Sequence, residues 1–320
     1  MYRFIRFFNQ HRRGVFTIIL IIVAFLAIIR VIDYTLENKK NNVDNINTGK
    51  VVNYVRDNNE TVYISSNKSA VGGSEVSENK LNRETEIIEK FVDYCNNQQI
   101  KDAYDLLSDS CKEELFETEE IFKSKYYDVI FNNQLKTCDI ENWSKETYKI
   151  NMYNDILSTG NITEESTDYF TIVKQDEEYK LNIKSYIGRT NLDKEIENKD
   201  ITIKVLNKDT YMDYEFYNIQ ISNNSANDIT LDTKSSTKST YLEDSKSAKY
   251  YAYTNENNYN EFIVRKNQTR NIKIKFSNNY SSSRKIERIV FSDFILNYGE
   301  YEQLENKEEY ENIYKFIINI

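Results

Sequence analysis

Residues 14–32 of the chain read GVFTIILIIVAFLAIIRVI, a stretch that carries no charge before Arg30. As a helix rising about 1.5 Å per residue, it would nearly span a hydrocarbon core of roughly 30 Å. The long side chain of Arg30 would reach the polar interface at the far end. The sequence therefore predicts a single transmembrane helix over residues 14–32, with the lipid bilayer as its partner.

Residues 1–13 form a basic flank before this stretch. Its charged residues are all arginines: Arg3, Arg6, Arg12 and Arg13. The positive-inside rule places such a flank in the cytoplasm. A cleaved signal peptide is the alternative, but cleavage requires small residues that Ile28–Ile32 does not offer. We expect an uncleaved signal-anchor: a single-pass membrane protein with a cytoplasmic N-terminus and extracellular C-terminal domains.

The composition of the chain limits its partners. The 320 residues carry a net charge of −9, with 13% aromatic residues and no proline. The abundance of Asn, Ile, Tyr, Lys and Glu indicates AT-rich coding, as in a low-GC bacterium. Because the flank is basic, the rest of the chain is more acidic than the total suggests, and it should repel phosphate backbones. Nucleic acid is therefore not expected as a partner.

The segment after the apolar stretch, residues 33–82, is polar and predicts a flexible linker. Two β-like patches, Val51–Val55 and Val62–Ile64, leave open a hairpin added to a later sheet. Helical spacing of apolar residues then predicts helices that begin near Asn82 and Thr118, both residues that cap helix N-termini well. The predicted helices are Glu84–Asn97, Ile100–Leu107, a short helix that carries Cys111 and Leu115, and Glu119–Phe131.

After Asn133 the apolar period becomes two, which is typical of strands. The tripeptide Gln175-Asp176-Glu177 predicts a hairpin turn between the last two of them. Helices followed by an antiparallel sheet predict an α+β domain over residues 83–190. The predicted strands are Leu135–Ile140, Glu146–Tyr153, Asp168–Lys174 and Glu178–Ser185.

The lead-in Phe91–Tyr94 and the following Asp102–Ser108 are similar to the first two helices of the nuclear transport factor 2-like (cystatin-like) family. This resemblance implies a cone in which N-terminal helices lie in a curved sheet. Members of the family include enzymes, ligand binders and scaffold proteins of conjugation channels. The enzymes usually carry a His/Asp pair in the cone, and residues 83–190 contain no histidine.

Residues 199–320 show many short alternating runs, which predict an all-β sandwich. The runs include Ile201/Ile203/Val205, Tyr217/Ile219/Ile221, Ile229/Leu231, Phe262/Val264, Ile272/Ile274/Phe276 and Tyr314/Phe316/Ile318/Ile320. Through Ile219–Asn223, the turn Lys266–Thr269 and Ile289–Asp293, this segment resembles telokin-like, immunoglobulin-like domains of membrane-anchored surface proteins of Gram-positive bacteria. The resemblance implies an immunoglobulin-like β-sandwich and no particular chemistry.

Histidine chemistry is excluded beyond the N-terminal flank, because the single histidine is His11. Ser-His-Asp triads, Cys-His pairs and His-based zinc sites are therefore not available there. The seven glycines are scattered and form no phosphate loop. The sequence predicts no catalytic residue, cofactor or metal site.

The chain has three cysteines, Cys95, Cys111 and Cys138, each on the apolar face of its predicted element. They are interpreted as small buried hydrophobic residues. A Cys95–Cys111 disulfide between two packed helices is the main alternative, and a metal or redox role is a third.

A tyrosine-rich stretch, Lys249–Phe262, is the candidate partner-binding surface. Exposed tyrosines next to asparagines can bind sugars or proteins. Codon bias and the preference of strands for tyrosine explain the same pattern without a binding role. The candidate residues are Tyr250, Tyr251, Tyr253 and Tyr259.

The sequence therefore predicts a membrane-anchored, extracytoplasmic binding or scaffold protein of the bacterial cell envelope, without enzymatic activity. Its partner would be a protein or a cell-wall component. One alternative is an assembly component of a conjugation-type secretion channel, suggested by the anchored cone. A second alternative is an envelope enzyme that uses carboxylates in the cone.

Overall fold

The computed structural model of the protein describes residues 62–66, 68–73, 75–154, 165–233, 238–253, 259–280 and 284–320. All of them belong to one compact unit that spans residues 53–320. The unit is mainly β-sheet, with 48% strand and 24% helix, and most strand pairs are antiparallel. Two hydrophobic cores divide it into a first half, built from helices and one sheet, and a second half, built from two sheets.

Among the described residues, no helix is both long and apolar enough to cross a bilayer. The longest, Glu78–Asn96, has one buried face and one charged face, so it packs on a sheet. This finding overturns the predicted fold class, which began with a transmembrane helix, and the predicted single-pass membrane localisation with extracellular C-terminal domains. Gly14–Ile32, from which both predictions came, lies outside the described residues, as do residues 1–13 and 33–61.

The helices of the first half follow one another closely along the chain. The first helix begins after Ser77, earlier than the cap predicted at Asn82. The cap at Thr118 is confirmed, since its hydroxyl accepts the Ile121 N–H at 3.3 Å. A π-helical turn, Lys123–Tyr127, interrupts the last predicted helix. The helices are α1 (Glu78–Asn96), α2 (Ile100–Asp105), α3 (Asp109–Leu115), α4 (Glu119–Phe122) and α5 (Asp128–Ile130).

The first sheet has five strands in chain order. Only β1 runs parallel to its neighbour, so Val62–Ser66 adds to the edge of the sheet without forming a hairpin. The predicted turn at 175–177 is confirmed: Asp176 and Glu177 have φ of 48° and 67°, as tight two-residue hairpins require. The strands are β1 (Val62–Ser66), β2 (Lys136–Ser144), β3 (Thr147–Asn154), β4 (Glu165–Gln175) and β5 (Glu178–Asn182).

Aromatic side chains fill the interior between the helices and the first sheet. The Phe91 ring lies 5.5 Å from that of Phe170 and 6.0 Å from that of Tyr126, centroid to centroid. Phe116 and Phe122 complete the cluster at a centroid distance of 5.4 Å. Each of these five side chains is at most 2% exposed, so the interior of the first half is a packed core.

The second half contains a four-stranded sheet and a six-stranded sheet. Their strands are β6 (Tyr186–Asn198), β7 (Ile201–Tyr211), β8 (Tyr214–Asn223), β9 (Ile229–Thr230), β10 (Thr240–Asp244), β11 (Lys249–Tyr251), β12 (Ile263–Val264), β13 (Gln268–Ser277), β14 (Ile286–Ile295) and β15 (Ile313–Asn319).

The four-stranded sheet has the order β13-β8-β7-β6. The six-stranded sheet has the order β11-β10-β14-β9-β12, with β15 also paired to β14. The edge strand β6 was not predicted, because its 13 residues are mostly polar and exposed beyond Arg189.

The two sheets of the second half share one apolar core. Ile203 and Ile219 enter it from the four-stranded sheet, and Phe291 and Phe316 from the other. At one side the sheets meet, where the Tyr253 N–H donates to the Lys275 carbonyl at 2.9 Å. A short helix, α6 (Tyr298–Gln303), and 3₁₀ turns at Tyr259–Phe262 and Lys307–Glu309 complete the fold.

Candidate functional site

A cleft of about 760 Å³ opens between the two halves. We call it the interlayer cleft; the first half lines it with Lys145 and the end of β4, and the second half with the start of β6, Lys208 and residues 284–286. The volume lies within the roughly 300–1,000 Å³ range of small-molecule sites. The cleft is therefore the candidate binding site.

Positive side chains dominate the lining of this cleft. Among the described side chains that line it, six are Lys or Arg and one is acidic, Glu215. This excess is notable in a chain whose net charge is −9. The cations are Lys145, Lys174, Arg189, Lys208, Arg284 and Lys285.

Glu215 is held by two of these cations. It faces inward on β8, where alternate residues are buried, and it is 2% exposed. Arg284 Nη2 donates to its Oε1, and Lys208 Nζ lies 3.8 Å from Oε2. Burial raises the pKa of Glu215, and the two cations oppose that rise. The single acidic side chain of the described lining is thus already neutralised by local pairing.

Tyr217 lies two residues along the same strand and also lines the cleft. Its side chain is fully buried, and its hydroxyl lies beside the Glu215 carboxylate without a hydrogen bond of good geometry to it. Burial and the neighbouring carboxylate both raise the pKa of Tyr217 above its ordinary value. The two inward-facing side chains of β8 therefore form one polar pair in the lining.

Lys145 and Lys285 differ from the other cations of the cleft. Both are exposed, and neither forms an ion pair within the described ranges. Lys145 occupies the β2–β3 turn with φ of 53°, and its Nζ lies 5.9 Å from the centre of the Tyr280 ring. The backbone of Lys285 is held in place, because its carbonyl accepts the Ser245 N–H at 3.0 Å. The two ammonium groups come from different halves of the unit.

Beside the cleft, Arg189 belongs to a saturated network that we call the Arg189 cluster: Arg189, Asp209, Tyr186, Asn218 and Glu113. Arg189 Nε and Nη2 donate to the two oxygens of Asp209 at 2.8 and 3.1 Å. Its Nη1 donates to Glu113 of α3 at 2.6 Å. The Asp209 carboxylate also accepts from Tyr186 Oη at 2.9 Å and from Asn218 Nδ2 at 2.8 Å.

The Arg189 cluster joins α3 of the first half to the four-stranded sheet of the second. Asp209 is fully buried; burial alone would raise its pKa, but the donors around it hold the pKa below the ordinary value. Nearby, Tyr211 Oη donates to Glu114 of α3 at 2.7 Å. These contacts fix the helices relative to the sheet, so the cleft beside them has a defined wall.

The predicted tyrosine site is only partly brought together. Tyr250 adjoins the cleft, since the Arg284 guanidinium lies 4.5 Å from its ring centre and its hydroxyl donates to Asp244 at 3.0 Å. Tyr251 and Tyr253 are 39% and 60% exposed. Tyr259 begins a 3₁₀ turn. Its side chain and residues 254–258 lie outside the part of the chain that the structure describes. The partner-binding role of these tyrosines stays a prediction.

All three cysteines are buried free thiols in the structure, and no Cys95–Cys111 bond is formed. Burial raises the pKa of Cys111 to about 12 and raises those of Cys95 and Cys138 as well. Thiolates are therefore scarce at neutral pH, which makes these side chains poor nucleophiles.

The strongest carboxylate candidate in the first half is Asp168. Burial raises its pKa to about 6, although it accepts backbone N–H groups of Lys184 and Ser185 at 2.9 Å and the Tyr126 hydroxyl at 3.2 Å. Lys184 and Ser185 both have positive φ, so Asp168 stabilises a strained turn. No set of three potential metal ligands occurs among the described residues.

No known protein family matches the chain, and comparisons with curated proteins and with solved structures returned no match. The resemblances to the nuclear transport factor 2-like and immunoglobulin-like families stay predictions.

The cleft residues Lys145, Lys208, Glu215, Tyr217 and Arg284 were not identified from the sequence. One signal was present: Glu215 follows the inward alternation of Tyr217, Ile219 and Ile221 on β8. A carboxylate at an inward position needs a partner, and this requirement points to buried cations.

Proposed function

We propose that this protein is a non-enzymatic binding or scaffold protein that holds its ligand or partner in the interlayer cleft. The single observation that carries the proposal is the cleft itself, an open cavity of about 760 Å³ whose walls come from both halves. A site built in this way suits binding, because a ligand would contact both halves at once.

The composition of the lining favours binding over catalysis. The lining contains hydroxyl, amide and cationic side chains, and its one described acidic side chain is paired with Arg284. A general base has to be a free group within reach of the substrate, and the described lining contains no histidine and no unpaired acidic side chain. In the first half, aromatic side chains fill the interior where the carboxylate-enzyme alternative would need a pocket.

The family resemblances agree with this proposal. Helices on one sheet, followed by two sheets around one core, are the layers expected of a cystatin-like cone and an immunoglobulin-like sandwich. Neither architecture implies a function by itself, so the function has to be argued from the site.

The proposal is tested by closing the cleft. Thr210 lines the cleft from β7, whereas Thr202 lies on the same strand away from it. Wild type, Thr210→Trp and Thr202→Trp are screened by thermal shift against acidic, neutral and basic metabolites and short glycans. We expect a ligand that raises the melting temperature of wild type and Thr202→Trp and has no effect on Thr210→Trp.

The same ligand should be recovered unchanged by mass spectrometry after prolonged incubation with the protein. Binding that survives in Thr210→Trp would contradict the site. Conversion of the ligand by wild type alone would contradict the non-enzymatic function.

A further inference from the structure

We propose that the interlayer cleft recognises a small polar ligand bearing at least two oxyanion groups, phosphate or carboxylate, and that Lys145 and Lys285 bind these groups from its two walls. This inference rests on the proposed function and adds the chemistry of the ligand.

The first argument is the local charge. Six cationic side chains and one acidic side chain of the described residues line the cleft, while the whole chain carries −9. Glu215 lies against Arg284 and Lys208 and neutralises one of their two charges. Lys174 is paired with Glu177, and Arg189 with Asp209. Lys145 and Lys285 are the exposed cations of the lining that form no ion pair with another described residue.

The second argument is where these two lysines come from. Lys145 belongs to the β2–β3 turn of the first half, and Lys285 precedes β14 in the second half. Like charges that converge on one cavity repel each other and gain no stability from the fold. A bound anion between them would relieve this repulsion, and because Arg and Lys form charge-assisted hydrogen bonds to phosphate and carboxylate, it would add direct contacts.

The size and surroundings of the cleft limit the ligand further. About 760 Å³ accommodates a small molecule or a short oligomer. A long polyanion such as duplex DNA would extend over a chain of net negative charge, which repels it. The inference is therefore restricted to ligands that fit inside the cleft.

The experiment measures binding by isothermal titration calorimetry at constant ionic strength. Tripolyphosphate tests the phosphate source, citrate tests the carboxylate source, and trehalose is the uncharged control. A 20-base-pair DNA duplex tests the excluded class. We expect wild type to bind tripolyphosphate or citrate and not trehalose, and to bind the duplex no more tightly than the small anions.

The matched variants remove equal charge inside and outside the cleft. Lys145→Gln/Lys285→Gln should weaken binding of the small anion by about 10-fold or more, the loss expected for charge-assisted hydrogen bonds. Lys266→Gln/Lys315→Gln removes two exposed lysines outside the cleft and should change binding less than about 2-fold. Because all four lysines are exposed, melting temperatures should stay close to that of wild type.

The inference is overturned if wild type binds neither anion, if both double variants lose affinity equally, or if the duplex binds more tightly than the small anions. These outcomes differ from failure of the proposed function. A neutral or basic ligand that Thr210→Trp excludes would keep the cleft as the binding site and remove only its assignment to oxyanions.

Discussion

The Arg189 cluster and the interlayer cleft lie side by side, and both contain charged groups at the boundary between the two halves. In the cluster, Arg189 donates to both oxygens of Asp209 and to Glu113, and Asp209 accepts from two further donors. In the cleft, Lys145 and Lys285 are exposed and have no ion pair within the described ranges.

This difference separates charges that stabilise the fold from charges that we propose bind a ligand. A buried ion pair with all its hydrogen bonds satisfied is costly to break from one side. Exposed lysines without partners contribute little to stability. Both regions contain positive charge, so composition alone does not distinguish them; the pairing of each group does.

The largest effect is expected from breaking the cluster with Asp209→Ala. The substitution removes the carboxylate that pairs with Arg189 and accepts from Tyr186 and Asn218. We expect a loss of about 3 kcal/mol in the free energy of unfolding, measured by urea denaturation. Glu178→Ala is the control: its carboxylate is 71% exposed and lies 3.0 Å from Lys180, and its loss should change stability by less than about 1 kcal/mol. An equally small change for Asp209→Ala would show that the Arg189 cluster contributes no more to stability than an exposed ion pair.

A pair of single-atom deletions sharpens the comparison at intermediate magnitude. Tyr186→Phe removes a hydroxyl that donates to the Asp209 carboxylate, and we expect a loss of about 1.5–3 kcal/mol. Tyr217→Phe removes a buried hydroxyl that lies beside the Glu215 carboxylate without a hydrogen bond of good geometry, so the loss should be smaller, about 1 kcal/mol or less. Urea denaturation measures the free energy of unfolding of both variants. A larger loss of stability in Tyr217→Phe than in Tyr186→Phe would contradict the predicted order.

The smallest effect is a difference in pH dependence between the two buried carboxylates. The pKa of Asp209 is lowered from 3.8, so its stabilising contribution is present above pH 3.8 and is lost as the pH falls through the folded-state value. Burial raises the pKa of Glu215 from 4.5, so its contribution is full below pH 4.5 and is lost as the pH rises through the folded-state value.

Stability measured against Asp209→Asn and Glu215→Gln across a pH series tests these signs. The advantage of wild type over Asp209→Asn should shrink at low pH, and its advantage over Glu215→Gln should shrink as the pH rises above 4.5. Slopes of the same sign in both comparisons would show that the two carboxylates have equivalent environments.

Local sequence signals predicted much of the secondary structure. The cap at Thr118 and the turn at 175–177 depend on neighbouring residues alone, and both are present. The start of α1 was placed too late, because Ser77 has no side-chain capping hydrogen bond. The edge strand β6 was missed, because beyond Arg189 it has no alternating apolar pattern.

The candidate site depends on contacts that no local pattern contains. Lys145 belongs to the first half, and Lys208 and Arg284 to separate parts of the second, so the three residues line one cleft only in the tertiary structure. The tyrosine-rich stretch was chosen for its composition, yet of its four tyrosines only Tyr250 contacts a cleft residue through a described side chain. Sequence reasoning identified elements well, whereas the site required the tertiary arrangement.

The three buried cysteines have a practical consequence for work on this protein. Cys95, Cys111 and Cys138 are each at most 1% exposed, and their raised pKa values keep them as neutral thiols. Maleimide dyes react with accessible thiolates, so the native fold should remain unlabelled under mild conditions. A single cysteine introduced at the rim of the cleft would then carry a fluorophore alone, without prior removal of the native ones.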